Sequence, residues 1–275
     1  MPHMPRIPPV PLPTPALHLR SKRRPRLTRL AAVALASLLA ACGGGSSDAE
    51  DGTRAVTGTP PRSSLPLVAP GTWVVMGSST AAGVGARSGQ GWAALLAADM
   101  APQAVTLRSL ARSGLVSSQA LPVGTALDGT LPPPDPAVNV ERALSFAPSL
   151  LLLSFPTNDA KRGLTPAQTL SKLETLSQHA AAALPPAAVL VLSSQPRDTF
   201  GLAERAAAEE FDRLAAVKFG ACFVRLRIAL MGDGGGIAAA YAAGDGIHLN
   251  NAGHRLVFER VRERLQSGEC VRLSP

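Results

Sequence analysis

Beyond residue 70 the chain repeats one pattern: short apolar runs at 73–76, 105–110, 150–155, 188–193 and 222–226. Between them lie amphipathic or Ala-rich stretches at 91–100, 137–146, 166–183, 203–218 and 251–266. Apolar runs without polar alternation describe strands buried on both faces, and the intervening helical stretches supply the cover. The pattern predicts an α/β fold of three layers, about five parallel strands between two sets of helices. A sheet of this kind gathers its functional loops at the carboxyl ends of its strands.

The N-terminal part follows a different logic. Residues 1–30 are rich in Pro and Arg and hold no acidic side chain, and an apolar run follows at 30–39. A basic segment, a short apolar segment and small residues before a cleavage point describe a secretory signal. The run is about half of the ~20 residues that span a bilayer, so a permanent transmembrane helix is not expected. Leu39-Ala40-Ala41-Cys42 resembles a bacterial lipobox, which implies cleavage before Cys42 and acylation of its thiol and new amino group. An ordinary secretory signal with an incidental Cys is the alternative. The resemblance implies a lipid-anchored protein of the cell envelope. In a Gram-negative cell, Gly43 in place of a retention Asp favours the outer membrane, facing the periplasm. Residues 43–70, Gly-Gly-Gly-Ser-Ser followed by mixed acids, Thr and Pro, read as a flexible tether. The expected organisation is a signal at 1–41, a tether at 42–70 and one folded domain at 71–275.

This division changes the meaning of the charge. The whole chain carries +8, but residues 1–41 hold seven of its 27 basic residues and none of its 19 acidic ones. The remainder has 20 basic against 19 acidic residues, a net charge of +1 that makes no case for nucleic acid. Of three cysteines, Cys42 is assigned to the anchor, leaving Cys222 and Cys270. An even pair in an oxidising compartment suggests a disulfide, with two unpaired thiols as the alternative. There is no CxxC, no metal site is expected, and the chemistry below asks for no cofactor.

That chemistry lies in four short motifs. Gly77-Ser78-Ser79-Thr80 follows the first apolar run, Ala111-Arg112-Ser113-Gly114 the second, and Pro156-Thr157-Asn158-Asp159 the third. Asp245-Gly246-Ile247-His248 stands near the C-terminus. Ser79 alone is as readily a helix cap or turn residue. Its place after a strand, with Gly77 permitting a tight turn, makes it a candidate nucleophile, while Gly83 and Gly85 allow close approach of the following backbone to a substrate. Among five histidines only His248 has an Asp three residues earlier, the spacing that places two side chains on one side of a turn. Asp245 can then hold one ring nitrogen while the other takes the serine proton. A tetrahedral intermediate needs preorganised donors, and the N–H of Ser79, the N–H of Gly114 and the Asn158 amide would supply an oxyanion hole. Singly, Asn158 reads as a turn residue and Asp159 as a structural partner in its loop.

Together these residues resemble the SGNH, or GDSL-type, serine ester hydrolases over 72–267. The resemblance implies a flavodoxin-like fold and carries Ser79, Gly114, Asn158 and His248 onto the family's four invariant positions, with Asp245 completing the triad. Two positions depart from it. Ser78 stands where the family usually has a loop-bracing Asp, and Arg112 where Asn is common. The expected activity is hydrolysis of a small or lipid-like ester by a monomer. An acyltransferase using the same site and a catalytically silent binding lipoprotein are the alternatives. A dinucleotide-binding domain is disfavoured, because the glycines at 83 and 85 miss GxGxxG. The long segment 115–139 is an expected binding loop whose Leu115, Leu121, Val123, Leu127 and Leu131 either line an acyl pocket or pack the loop down.

Overall fold

The computed structural model describes residues 70–127 and 129–270. The signal, Cys42 and all of the tether but Pro70 lie outside the described residues.

Five strands form one parallel sheet: β1 (Gly71–Gly77), β2 (Val105–Ser109), β3 (Leu150–Ser154), β4 (Ala188–Leu192) and β5 (Phe223–Val224), in the order β2-β1-β3-β4-β5. Side chains alternate across it because successive strand residues point to opposite faces. Trp73, Val75, Leu150, Leu152, Leu190 and Leu192 enter one core, while Val74, Met76, Leu151, Leu153 and Val191 enter the other. Both faces of these strands are buried, which is why they read as continuous apolar runs.

On the first face lie α1 (Trp92–Met100) and α8 (Asn251–Gln266). On the second lie α2 (Ser117–Ala120), α3 (Val140–Leu144), α5 (Pro166–Ala182) and α6 (Leu202–Phe219). Two short helices, α4 (Pro156–Lys161) and α7 (Arg227–Leu230), follow β3 and β5 directly. Several helix starts were legible. Thr165 caps α5 and exchanges bonds with Gln168, and Asn250 caps α8 through Gly253 N–H.

The departures from expectation are local. The stretch expected as a helix at 137–146 is helical only from Val140 to Leu144, since Asn139 caps it by accepting from Arg142 N–H. The last strand is two residues long, with Cys222 in the 3-10 turn before it. Cys222 and Cys270 are joined by a disulfide that links this turn to the segment just after α8. The turn expected at 156–159 is instead the start of α4, with Pro156 in the first helical turn, where its missing N–H has no cost. Segment 115–139 carries α2, and Leu115 and Leu121 are buried in the second core, with Leu127 packed against it. Those leucines hold the connection down; Val123 is exposed.

Candidate active site

The strand order reverses direction between β1 and β3, the crevice where open α/β sheets place their ligand sites. Ser79 sits in the tight turn after β1, 5% exposed. Ser78 anchors that turn through its backbone: its N–H donates to Ser154 O and its carbonyl accepts from Ala82 N–H. Two residues on, Thr80 Oγ1 accepts from Gln195 Nε2 at 2.8 Å.

His248 enters from the loop before α8. Its Nε2 stands 2.9 Å from Ser79 Oγ and its Nδ1 2.6 Å from Asp245 Oδ2. The other carboxylate oxygen accepts from the N–H groups of His248 (2.8 Å) and Ile247 (2.9 Å). These contacts, led by the His248 backbone N–H, pull the Asp245 carboxyl down to about 2. It is therefore ionised throughout the neutral range, and a carboxylate can only accept. Nδ1 must carry the proton, which leaves the Nε2 lone pair facing Ser79. Gly85 brings the nucleophile turn and the base loop together, but not by the expected approach to substrate. A Cβ there would lie 3.0 Å from His248 Cβ and collide with Leu249 O.

The three oxyanion candidates lie in neighbouring segments at the carboxyl edge of the sheet, joined by Arg112 N–H on Gly77 O and Asn158 Nδ2 on Leu115 O. Gly114 adopts φ +83°, a left-handed conformation that favours glycine. Its turn is tied to β1 by Arg112 N–H donating to Gly77 O, and the Arg112 side chain reaches Asp135 at 3.1 Å. Among the bonds of the described residues, none uses the N–H of Ser79 or of Gly114. Asn158, on the first turn of α4, donates one Nδ2 hydrogen to Leu115 O at 3.0 Å, and its Oδ1 accepts from Arg197 at 2.7 Å. One amide hydrogen remains for a ligand.

Asp159 does not partner its own loop. It is fully buried and accepts from Ser117 N–H at 2.8 Å, docking the segment after Gly114 onto α4. Burial pushes its carboxyl up from 3.8 to about 6. The folded state thus holds a proton where the unfolded chain has lost it. This stabilisation is complete below about pH 4 and lost as pH rises through about 6. Asp159→Asn keeps an acceptor for Ser117 but cannot ionise. Its unfolding free energy relative to wild type is expected to improve by on the order of 2 kcal/mol between pH 4 and pH 7. Urea midpoints at the two pH values check this; a pH-independent difference would refute it.

Two site residues were missed from sequence, Gln195 and Arg197. Gln195 is buried and also donates to Ile247 O at 3.1 Å, so one side chain joins the nucleophile turn to the base loop. Both follow β4 at the carboxyl edge of the sheet, a position that was the available signal. His254, set aside as a base, is fully buried. Its Nδ1 accepts from Trp92 N–H and its Nε2 donates to Val84 O, fastening α8 to the nucleophile side.

The same geometry places the chain among known proteins. Its fold matches the crystal structure of TesA at 24% identity and TM-score 0.55, covering 72% of this chain and 99% of that one. It matches the psychrotrophic esterase EstA from Pseudoalteromonas sp. at 17% identity and TM-score 0.52, covering 72% and 97%. A lipolytic G-D-S-L protein from Veillonella parvula DSM 2008 matches at 18% identity and TM-score 0.51, covering 70% and 96%. No curated protein matches the chain significantly. The model of the GDSL-like lipase/acylhydrolase family spans residues 75–256, from the strand before Ser79 to the helix after His248. A match of that extent, on a sheet that brings the motifs to its carboxyl edge, makes this chain a member of the GDSL-like lipase/acylhydrolase family.

Proposed function

We propose that this enzyme is a cell-envelope esterase that cleaves small or lipid-like acyl esters through a covalent acyl-enzyme on Ser79. The observation that carries the reading is the unbroken relay from Ser79 Oγ to His248 Nε2 (2.9 Å) and from His248 Nδ1 to Asp245 (2.6 Å). Ser79 Oγ attacks the ester carbonyl carbon as its proton passes to Nε2. The carbonyl oxygen becomes an oxyanion held by the N–H groups of Ser79 and Gly114 and by Asn158 Nδ2. Collapse expels the alcohol, protonated by His248, and leaves the acyl group on Ser79. Water, deprotonated by the same imidazole, then releases the carboxylic acid.

The envelope location rests on the leader and the Leu39-Ala40-Ala41-Cys42 motif, and anchoring through acylated Cys42 follows from the same residues. Among the described residues no helix is long and apolar enough to cross a membrane. The test is hydrolysis of p-nitrophenyl esters from acetyl to decanoyl by protein purified from expression of the full-length chain, with and without added alcohols. Turnover to free acid that alcohols do not divert is expected. Ester formed in preference to acid would assign a transferase instead.

A further inference from the structure

The segment after β4 holds a charge whose placement the triad alone does not explain. Arg197 is 6% exposed, and its Nε is buried without a partner. Its guanidinium lies over the Phe200 ring, 5.6 Å from the centroid. Among the described residues its one hydrogen-bond acceptor is Asn158 Oδ1, at 2.7 Å. Burying a guanidinium is unfavourable, and here burial lowers its pKa from the ordinary value. The Asp245 and Glu204 carboxylates offset part of that cost electrostatically, but the one directed bond of the guanidinium goes to Asn158.

We propose that Arg197 is a positioning residue that dictates which end of the Asn158 amide faces the oxyanion. This rests on the acyl-enzyme reading above. The argument is one of donors and acceptors. A guanidinium has five N–H donors and no acceptor, so only the carbonyl oxygen of Asn158 can face it. On the other side Leu115 O is an acceptor and demands the amide nitrogen, which it meets at 3.0 Å. Rotating the amide by half a turn would set two donors against each other at Arg197 and two acceptors against each other at Leu115. With both contacts in place the amide has one orientation, and its second Nδ2 hydrogen is committed to the crevice before substrate arrives. Without Arg197 that preference weakens, and in part of the population an oxygen lone pair faces the developing negative charge.

The test is a double-mutant cycle in the full chain, with kcat, KM and the thermal midpoint measured for each variant. Asn158→Ala is expected to lower kcat about 10²- to 10³-fold, the effect of removing one oxyanion donor. Arg197→Met is expected to lower kcat about 10- to 100-fold with KM within about threefold, since the hole is misoriented rather than absent. In the Asn158→Ala background Arg197→Met should cost less than about threefold, because the group it orients is gone. Arg197→Lys keeps a donor and the charge and should recover most of the wild-type kcat. If Arg197→Met misfolds, Arg197→Gln, whose amide can turn either a donor or an acceptor toward Asn158, takes its place in the same cycle with the same expected ratios. Additive losses in the cycle, or a loss confined to KM, would overturn the proposal, since Arg197 would then act on substrate or fold directly. Failure of the underlying reading looks different: Ser79→Ala would retain turnover.

Discussion

Ser79→Ala is expected to lower kcat for ester hydrolysis by about 10⁴- to 10⁶-fold, the range seen when the nucleophile of a Ser-His-Asp site is removed. The size follows from the geometry. Ser79 Oγ is the atom at hydrogen-bond distance from the imidazole of His248, and the surrounding turn is held by backbone bonds of Ser78 and by Gln195 on Thr80. Removing one hydroxyl leaves those supports in place, so KM and the thermal midpoint should stay near wild type. What survives is binding and the oxyanion donors acting on water. Because nucleophile and base act as one unit, Ser79→Ala combined with His248→Ala should be no slower than Ser79→Ala alone. Steady-state kinetics on the p-nitrophenyl series, with each protein's melting curve, provide the check. A variant that kept a tenth of the wild-type rate would remove Ser79 as nucleophile.

The second large effect is expected at Asp245. Asp245→Asn should lower kcat about 10³- to 10⁴-fold without loss of fold. The amide oxygen can still accept from the N–H groups of His248 and Ile247, which shape the loop. Its nitrogen, however, would then face Nδ1 as a donor. The imidazole must answer with an acceptor there and a proton on Nε2, and a protonated Nε2 cannot take the proton of Ser79. The loss is therefore one of tautomer rather than of distance. A carboxyl held at about 2 stays ionised throughout the neutral range. Retention of kcat within tenfold in Asp245→Asn would show that another group orients His248.

Much of this site was readable because its chemistry is local. Asp245 and His248 are three residues apart, and a single tight loop suffices to join them. Ser79, Gly114 and Asn158 each follow an apolar run by a few residues, so predicting the strands also placed the motifs at one edge of the sheet. The departures have an equally physical source. Pro-Thr-Asn-Asp has the composition of a turn, yet Pro156 suits a first helical turn as well, and packing of Asp159 against Ser117 makes the helix the better solution. The leucines of 115–139 carried no sign of which side they faced until the second core absorbed Leu115 and Leu121.

The sequence by itself determined the layers of the fold and the types of group at the site. Apolar runs four to six residues long can only be satisfied between two covering layers, and caps such as Thr165 and Asn250 act within one turn of themselves. The tertiary structure decided which distant groups meet. Ser79 and His248 are separated by 169 residues, Gln195 and Thr80 by 115, and Arg197 and Asn158 by 39. Those pairings depend on strand order and on the path of loops at the sheet edge, which leave no periodicity in the chain. Hydrophobic patterning specifies what is buried; only the assembled sheet specifies which donor is aimed at which acceptor.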